Sequence, residues 1–160
     1  MKIKCIIIGA GTYGHVYMKY LQEYYVITGF YDDDITLHGN LIENIKVKGS
    51  VQDAIQNEYD CAVFAPIGNN PIRVRILKEF ESRGFNIPSF VHTNTIIHAS
   101  VKIGKAVYIL PGTNIMPFTE IGDYSMISVG VNIAHHCIIE EGCFFSQGSN
   151  VGASIKIKTL

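Results

Sequence analysis

Two places in this 160-residue chain gather groups able to do chemistry. The first is Ile133-Ala134-His135-His136-Cys137, which holds two of the six histidines side by side. Imidazole titrates closer to neutral pH than any other side chain, so an accessible histidine is a natural general base. The alternative is two corner residues with no reaction to perform. A zinc site needs a third ligand at matching spacing, and His92 and His98 lie too far back to supply it. The second place is Gly9-Ala10-Gly11-Thr12-Tyr13-Gly14, followed about 20 residues on by Asp32-Asp33-Asp34. Glycines there let the backbone approach a phosphate at a positive helix end, and a carboxylate can accept from ribose hydroxyls. The other reading is a glycine turn with no ligand.

The elements that position the glycine turn follow an α/β rhythm. Residues 3–8, apolar except for Lys4, read as a buried parallel strand. An amphipathic helix is expected from His15 to Tyr24, with Val16, Tyr20 and Leu21 on its buried face. Val26 to Tyr31 is a second strand and Asp60 to Phe64 a third, leading into Pro66-Ile67-Gly68-Asn69-Asn70. A helix from Pro71 to Arg83 follows, and Ile87 to Val91 hands the chain to the next pattern. Strand, glycine turn, helix, strand and acid is the dinucleotide fingerprint in order. A full dinucleotide fold has two mononucleotide halves, however, and only one fits before the next pattern begins. Half a fold suits a mononucleotide or nucleotide-sugar better than NAD.

The element that positions the histidines is a repeat. In steps of six, Val91, Ile97, Ile103, Ile109, Ile115, Ile121, Ile127, Ile133, Ile139, Phe145, Val151 and Ile157 are all aliphatic or Phe. A second column two residues before each of these is mostly small or β-branched, and runs from Val101 through Thr113, Thr119, Ser125 and Cys137 to Ile155. Period six matches neither a helix nor a coiled coil. It matches short flats of parallel sheet joined by tight turns, with three hexads to a coil and rungs about 4.8 Å apart. Residues 18 apart then stack, giving the inward ladders Ile97-Ile115-Ile133-Val151 and Ile103-Ile121-Ile139-Ile157. Gly104, Gly122 and Gly152 each follow an inward residue. Because Ile133 and Cys137 both point inward, His135 and His136 between them occupy a corner.

Composition narrows the class. Thirteen basic and fourteen acidic side chains give a net charge of −1 with no basic block, so no nucleic-acid surface is expected. No stretch is long and apolar enough to span a membrane, and the short N-terminal apolar run ends in glycines rather than a cleavage site. Cys5, Cys61, Cys137 and Cys143 form no C-x-x-C pair, which points to free thiols and a reducing cytoplasm.

The half-Rossmann unit, the Ile67-Gly68-Asn69-Asn70 turn followed by Arg73, and the hexads that begin after His92 resemble one family along nearly the whole chain. It is the hexapeptide-repeat sugar O-acyltransferases, the group of sialic acid O-acetyltransferases and nucleotide-4-amino-sugar N-acetyltransferases. The resemblance implies an N-terminal α/β half-Rossmann domain (residues 1–88) followed by a left-handed parallel β-helix of hexapeptide repeats (residues 89–160). The handedness comes from the resemblance alone. It implies a nucleotide-sugar pocket lined by Gly11, His15, Asp32, Asp33, Ile67, Gly68 and Asn69, although Thr12-Tyr13 replaces the small residue and second His common there. His135 falls at the position of the family's base, Ser128 at a position that orients the site, and His136 where an acidic neighbour is frequent. Ser146, Gly152 and Ala153 would contact acetyl-CoA, the co-substrate, with no metal. The resemblance further implies a cytoplasmic homotrimer with sites between subunits. Family members continue through more coils after the position of Ile157, so the chain reads as C-terminally shortened. The expected function is acetyl transfer to a nucleotide-activated amino sugar or sialic-type sugar. A non-catalytic nucleotide-sugar-binding or assembly subunit is the alternative.

Overall fold

A computed structural model describes residues 2–58 and 60–159, and the chain divides into two compact units between Ile87 and Pro88. The N-terminal unit is built on β1 (Ile3–Ile8), whose Cys5 to Ile8 are fully buried because the sheet is covered on both faces there. β1 pairs in parallel with β2 (Tyr25–Tyr31) on one side. Between them runs α1 (Thr12–Leu21). This helix begins three residues earlier than the pattern suggested, because Gly14 belongs to its buried face. That face is Gly14, Tyr17, Met18 and Leu21 at i, i+3, i+4 and i+7, whereas Val16 is exposed. Of the expected Val16-Tyr20-Leu21 face, Leu21 is fully buried and Tyr20 half-buried, so only Val16 is corrected.

A hairpin and a further helix lie between β2 and the next sheet strand. β3 (Leu41–Ile42) and β4 (Ile45–Gly49) form an antiparallel pair, and β4 then joins β2 in parallel. α2 (Val51–Asn57) opens on a capping box in which Ser50 and Asp53 satisfy each other's backbone N–H groups. That Ser-x-x-Asp signature was legible in the sequence. β5 (Ala62–Phe64) pairs with β1 on its other side, giving the order β3-β4-β2-β1-β5. α3 (Asn70–Ser82) follows, capped by Asn69 and with Pro71 in its first turn, where a missing N–H costs nothing.

The second unit is a left-handed parallel β-helix. Twelve two-residue strands form three four-stranded parallel sheets. Partners are 18 residues apart: Ile115 lies between Ile97 and Ile133, Ile121 between Ile103 and Ile139, and Ile127 between Ile109 and Phe145. These residues, with Val107, Val131, Cys137 and Cys143, form its core.

The small polar column has a specific task. Thr113, Thr119 and Cys137 each donate to the carbonyl 15 residues ahead, on Ser128, Ala134 and Gly152, at 3.1, 2.9 and 3.1 Å. Corner carbonyls turned away from the sheets thus find partners inside the prism. From Ala106 onward the second residue of each turn takes a left-handed backbone: Gly112, Gly130, Gly142 and Gly148 do so, as do Ala106, Phe118, Tyr124, His136 and Ser154. Gly122 is fixed for another reason. A Cβ there would lie 2.6 Å from the Glu140 carbonyl carbon and the Glu141 nitrogen on the next coil.

Candidate active site

In the N-terminal unit, α1 starts at Gly11, where no side chain caps it, so its positive end is left for a ligand. Gly9 turns the chain there with φ of 96°. The third glycine of the motif sets the approach of helix to strand, since a Cβ on Gly14 would sit 2.1 Å from the Gly9 carbonyl oxygen. Beside this turn lies a cavity of about 370 Å³. Of the seven residues expected at a nucleotide-sugar pocket, Gly11, Asp32, Asp33, Ile67 and Gly68 line it together. His15 and Asn69 do not. His15 is exposed, with its ring edge toward Phe30 at 6.4 Å, and Asn69 is spent capping α3 by accepting from the Ile72 N–H at 3.1 Å.

The acidic run is divided by its hydrogen bonds. Asp32 accepts from the Ala10 N–H at 2.7 Å and from the Asp34 N–H at 2.9 Å, so it ties the end of β2 to the glycine turn. Asp33 accepts from the Val51 N–H at the start of α2 at 2.9 Å, which leaves its second oxygen without that bond. Asp34 turns away to Thr36, whose side-chain and backbone hydrogen bonds hold its carboxyl below the usual range. The Ile67-to-Asn70 loop is fixed by Arg73. Its fully buried guanidinium donates to the Ile67 carbonyl at 2.6 Å and to the Asn70 side chain at 2.9 Å. Tyr13, the departure noted in the sequence, lies where a side chain on Gly68 would stand, 2.9 Å from that Cβ position. The cavity also recruits Val51, Ile72, Arg75 and Ile76 from α2 and α3. Sequence reasoning missed these four, because α2 was not recognised and α3 carries no motif at Arg75. An apolar wall, a helix N-terminus and two carboxylates suit a phosphate-bearing, hydroxyl-rich ligand.

In the second unit, the turn from Ala134 to Cys137 is held from neighbouring coils. Thr119 donates to the Ala134 carbonyl and accepts from the Cys137 N–H at 3.2 Å. The His136 N–H donates to the Pro117 carbonyl at 3.1 Å, and the His135 carbonyl accepts from the Ser154 N–H at 2.9 Å. On this fixed backbone both imidazoles are exposed, with Nδ1 to Nδ1 at 3.0 Å and rings at 90°. Phe118, one coil before, packs on His136 with centroids 4.9 Å apart. Gly152 and Ala153, one coil after, are exposed, and the Gly152 carbonyl is pinned by Cys137. Ser128 is buried and belongs to a different corner: its carbonyl accepts from Thr113 and its N–H donates to Phe145. Ser146 is exposed and bonds Gln147 at 3.2 Å. His92 and His98 cap their own turns through Asn94 and Ser100. Among the described residues no three His, Cys, Asp or Glu side chains group as a metal would require, and no helix is long and apolar enough to cross a membrane.

Residues 4–80 match the family of PglD N-terminal domains. Over nearly its whole length the chain superposes on a variant of perosamine N-acetyltransferase from Caulobacter crescentus in complex with CoA and GDP-perosamine. The TM-score is 0.86 at 22% identity, covering 96% of this chain and 73% of that one. The acetyltransferase domain of PglB from Neisseria gonorrhoeae, in complex with acetyl coenzyme A, matches with TM-score 0.85 and 19% identity over 98% of this chain and 77% of that one. WeeI from Acinetobacter baumannii matches with TM-score 0.84 and 25% identity over 98% and 74%. The resemblance read from the residues holds at the level of fold: a match to the PglD N-terminal domain over residues 4–80, followed by a parallel β-helix that superposes on those solved structures.

Proposed function

We propose that the chain is an acetyl-CoA-dependent acetyltransferase acting on the amine or hydroxyl of a nucleotide-activated or sialic-type sugar, with His135 as general base. One observation carries this reading: a single chain joins a PglD-type domain, whose cavity unites the glycine turn with Asp32 and Asp33, to a prism that holds an accessible imidazole on a rigid corner. Solved proteins of the same fold bind CoA, acetyl-CoA and a GDP-linked amino sugar.

His135 Nε2 takes the proton as the sugar nitrogen or oxygen attacks the thioester carbonyl. The new N–C or O–C bond forms, the C–S bond breaks, and the proton passes to the departing thiolate of CoA. The carbonyl oxygen, negative in the tetrahedral intermediate, needs donors, for which the exposed backbone at Gly152 and Ala153 is the candidate. Ser146 is assigned to the CoA arm. Ser128 is assigned to support of the fold, in line with its burial. A homotrimer would cover the exposed Met116, Phe118 and Ile138 beside the corner, which are large apolar side chains in water.

The test is release of free CoA thiol from acetyl-CoA in the presence of nucleotide-linked 4-amino sugars, using the chain as given and its His135→Ala variant. Turnover that depends on His135 supports the reading. Undiminished turnover by His135→Ala overturns the role of that residue. Tight binding of the nucleotide-sugar with no affinity for CoA would favour the non-catalytic alternative.

A further inference from the structure

The two imidazoles are placed as one unit, and on the reading above that arrangement assigns a task to the second of them. We propose that His136 is the positioning partner of His135: its Nδ1 accepts the His135 Nδ1–H, which holds His135 in the tautomer whose Nε2 lone pair is free. The distance between the two Nδ1 atoms is 3.0 Å. At that separation one nitrogen must carry the hydrogen and the other the lone pair, since two acceptors or two donors would repel. When His135 Nε2 gains a proton, the same contact becomes a charge-assisted hydrogen bond from an imidazolium to a neutral ring, and it strengthens as the reaction proceeds.

His136 is held for this task. Its backbone is left-handed at φ 58°, its N–H is bonded to the Pro117 carbonyl, and Phe118 packs against its ring. Among the described residues the turns stacked at this corner, Ala99-Ser100, Pro117-Phe118 and Ala153-Ser154, carry no charged side chain, and the titratable His98 two coils back is held by Ser100 at 2.9 Å. On the flanking strands Glu120 is paired with Lys102, and Lys156 with Glu140. The His136 ring is therefore the group that orients His135.

His136→Phe tests the idea without disturbing the turn, because Phe118 occupies the same turn position one coil earlier with φ 64°. The expected result is a fall in kcat of about 10- to 100-fold, with the KM for each substrate changed by less than about threefold. The acid limb of kcat/KM should move to lower pH as His135 loses its acceptor. His136→Glu should restore most of the rate and move that limb to higher pH, since an anion favours the protonated imidazole. Histidine ¹⁵N shifts supply a readout independent of turnover. His135 should show the Nδ1–H form in the wild type and revert toward the Nε2–H form of free imidazole in His136→Phe. An unchanged pH profile and unchanged His135 shifts in His136→Phe would overturn the proposal, even while His135→Ala abolished turnover and left the proposed function standing.

Discussion

Gly14→Ala puts the geometry of the glycine turn to a quantitative trial. The added methyl would lie 2.1 Å from the Gly9 carbonyl oxygen and 3.1 Å from its carbon, and Cβ contacts essentially never fall under 3.0 Å. The obstacle is backbone, so no side chain can swing aside. α1 must back away from the β1 turn by close to 1 Å, or the Gly9 peptide must rotate. Overpacking of this kind costs about 1–3 kcal/mol, and sometimes more. Alanine returns up to about 1 kcal/mol through its better helix propensity. A net loss of about 2 kcal/mol would lower the unfolding midpoint of a unit this size by roughly 10 °C. The same displacement moves the turn that lines the cavity, and such shifts can cost about 100-fold in a reaction that depends on placement.

Gly11→Ala is the matched control. Nothing lies within 4 Å of its Cβ position, and at the N-cap alanine is worse than glycine by only roughly 0.5–1 kcal/mol, less than the clash at Gly14. It should fold with a midpoint lowered less than that of Gly14→Ala, yet weaken ligand binding more, because the methyl projects where a phosphate would approach. Thermal unfolding and calorimetric titration with UDP and GDP, run on both variants, separate the two effects. If Gly14→Ala melted and bound like the wild type, the close approach of helix to strand would not be a constraint, and the account of the motif would fail.

Two further outcomes follow from the structure. Ile127→Ala removes a fully buried rung between Ile109 and Phe145 and should cost about 2–5 kcal/mol, read as a shift in the urea midpoint; a loss under about 1 kcal/mol would mean the ladder can collapse around the gap. Stability should also fall at both ends of the pH range. Hydrogen bonds from Thr36 and Ser50 hold Asp34 and Asp53 below their ordinary 3.8, so their contribution is present above that pH and is lost as pH falls through the folded values. Burial, followed by the charge of Cys61, pushes Cys5 up to about 12. Its contribution is therefore full below the ordinary 9.0 and is lost as pH rises toward 12. Urea midpoints from pH 2.5 to 11 check both limbs, and Asp53→Asn should flatten only the acid one.

What the sequence alone determined was whatever is written in a period or a local motif. The twelve hexads fixed the prism and its rungs, because an inward residue every sixth position leaves a short flat strand no other face to bury. They also fixed the corner at His135 and His136, since Ile133 and Cys137 on either side had to point inward. The glycine motif located the turn beneath the cavity in the same local way. Tertiary structure decided which side chains surround that turn. Val51, Arg75 and Ile76 reach the cavity from helices that no spacing linked to it, and Asn69 left it to cap α3. It also decided that the two imidazoles meet through their Nδ1 atoms, a matter of rotamer and turn geometry about which adjacency in the chain is silent. Local patterns state which face of an element must be buried, but only packing settles which elements share that face and what stands at its rim.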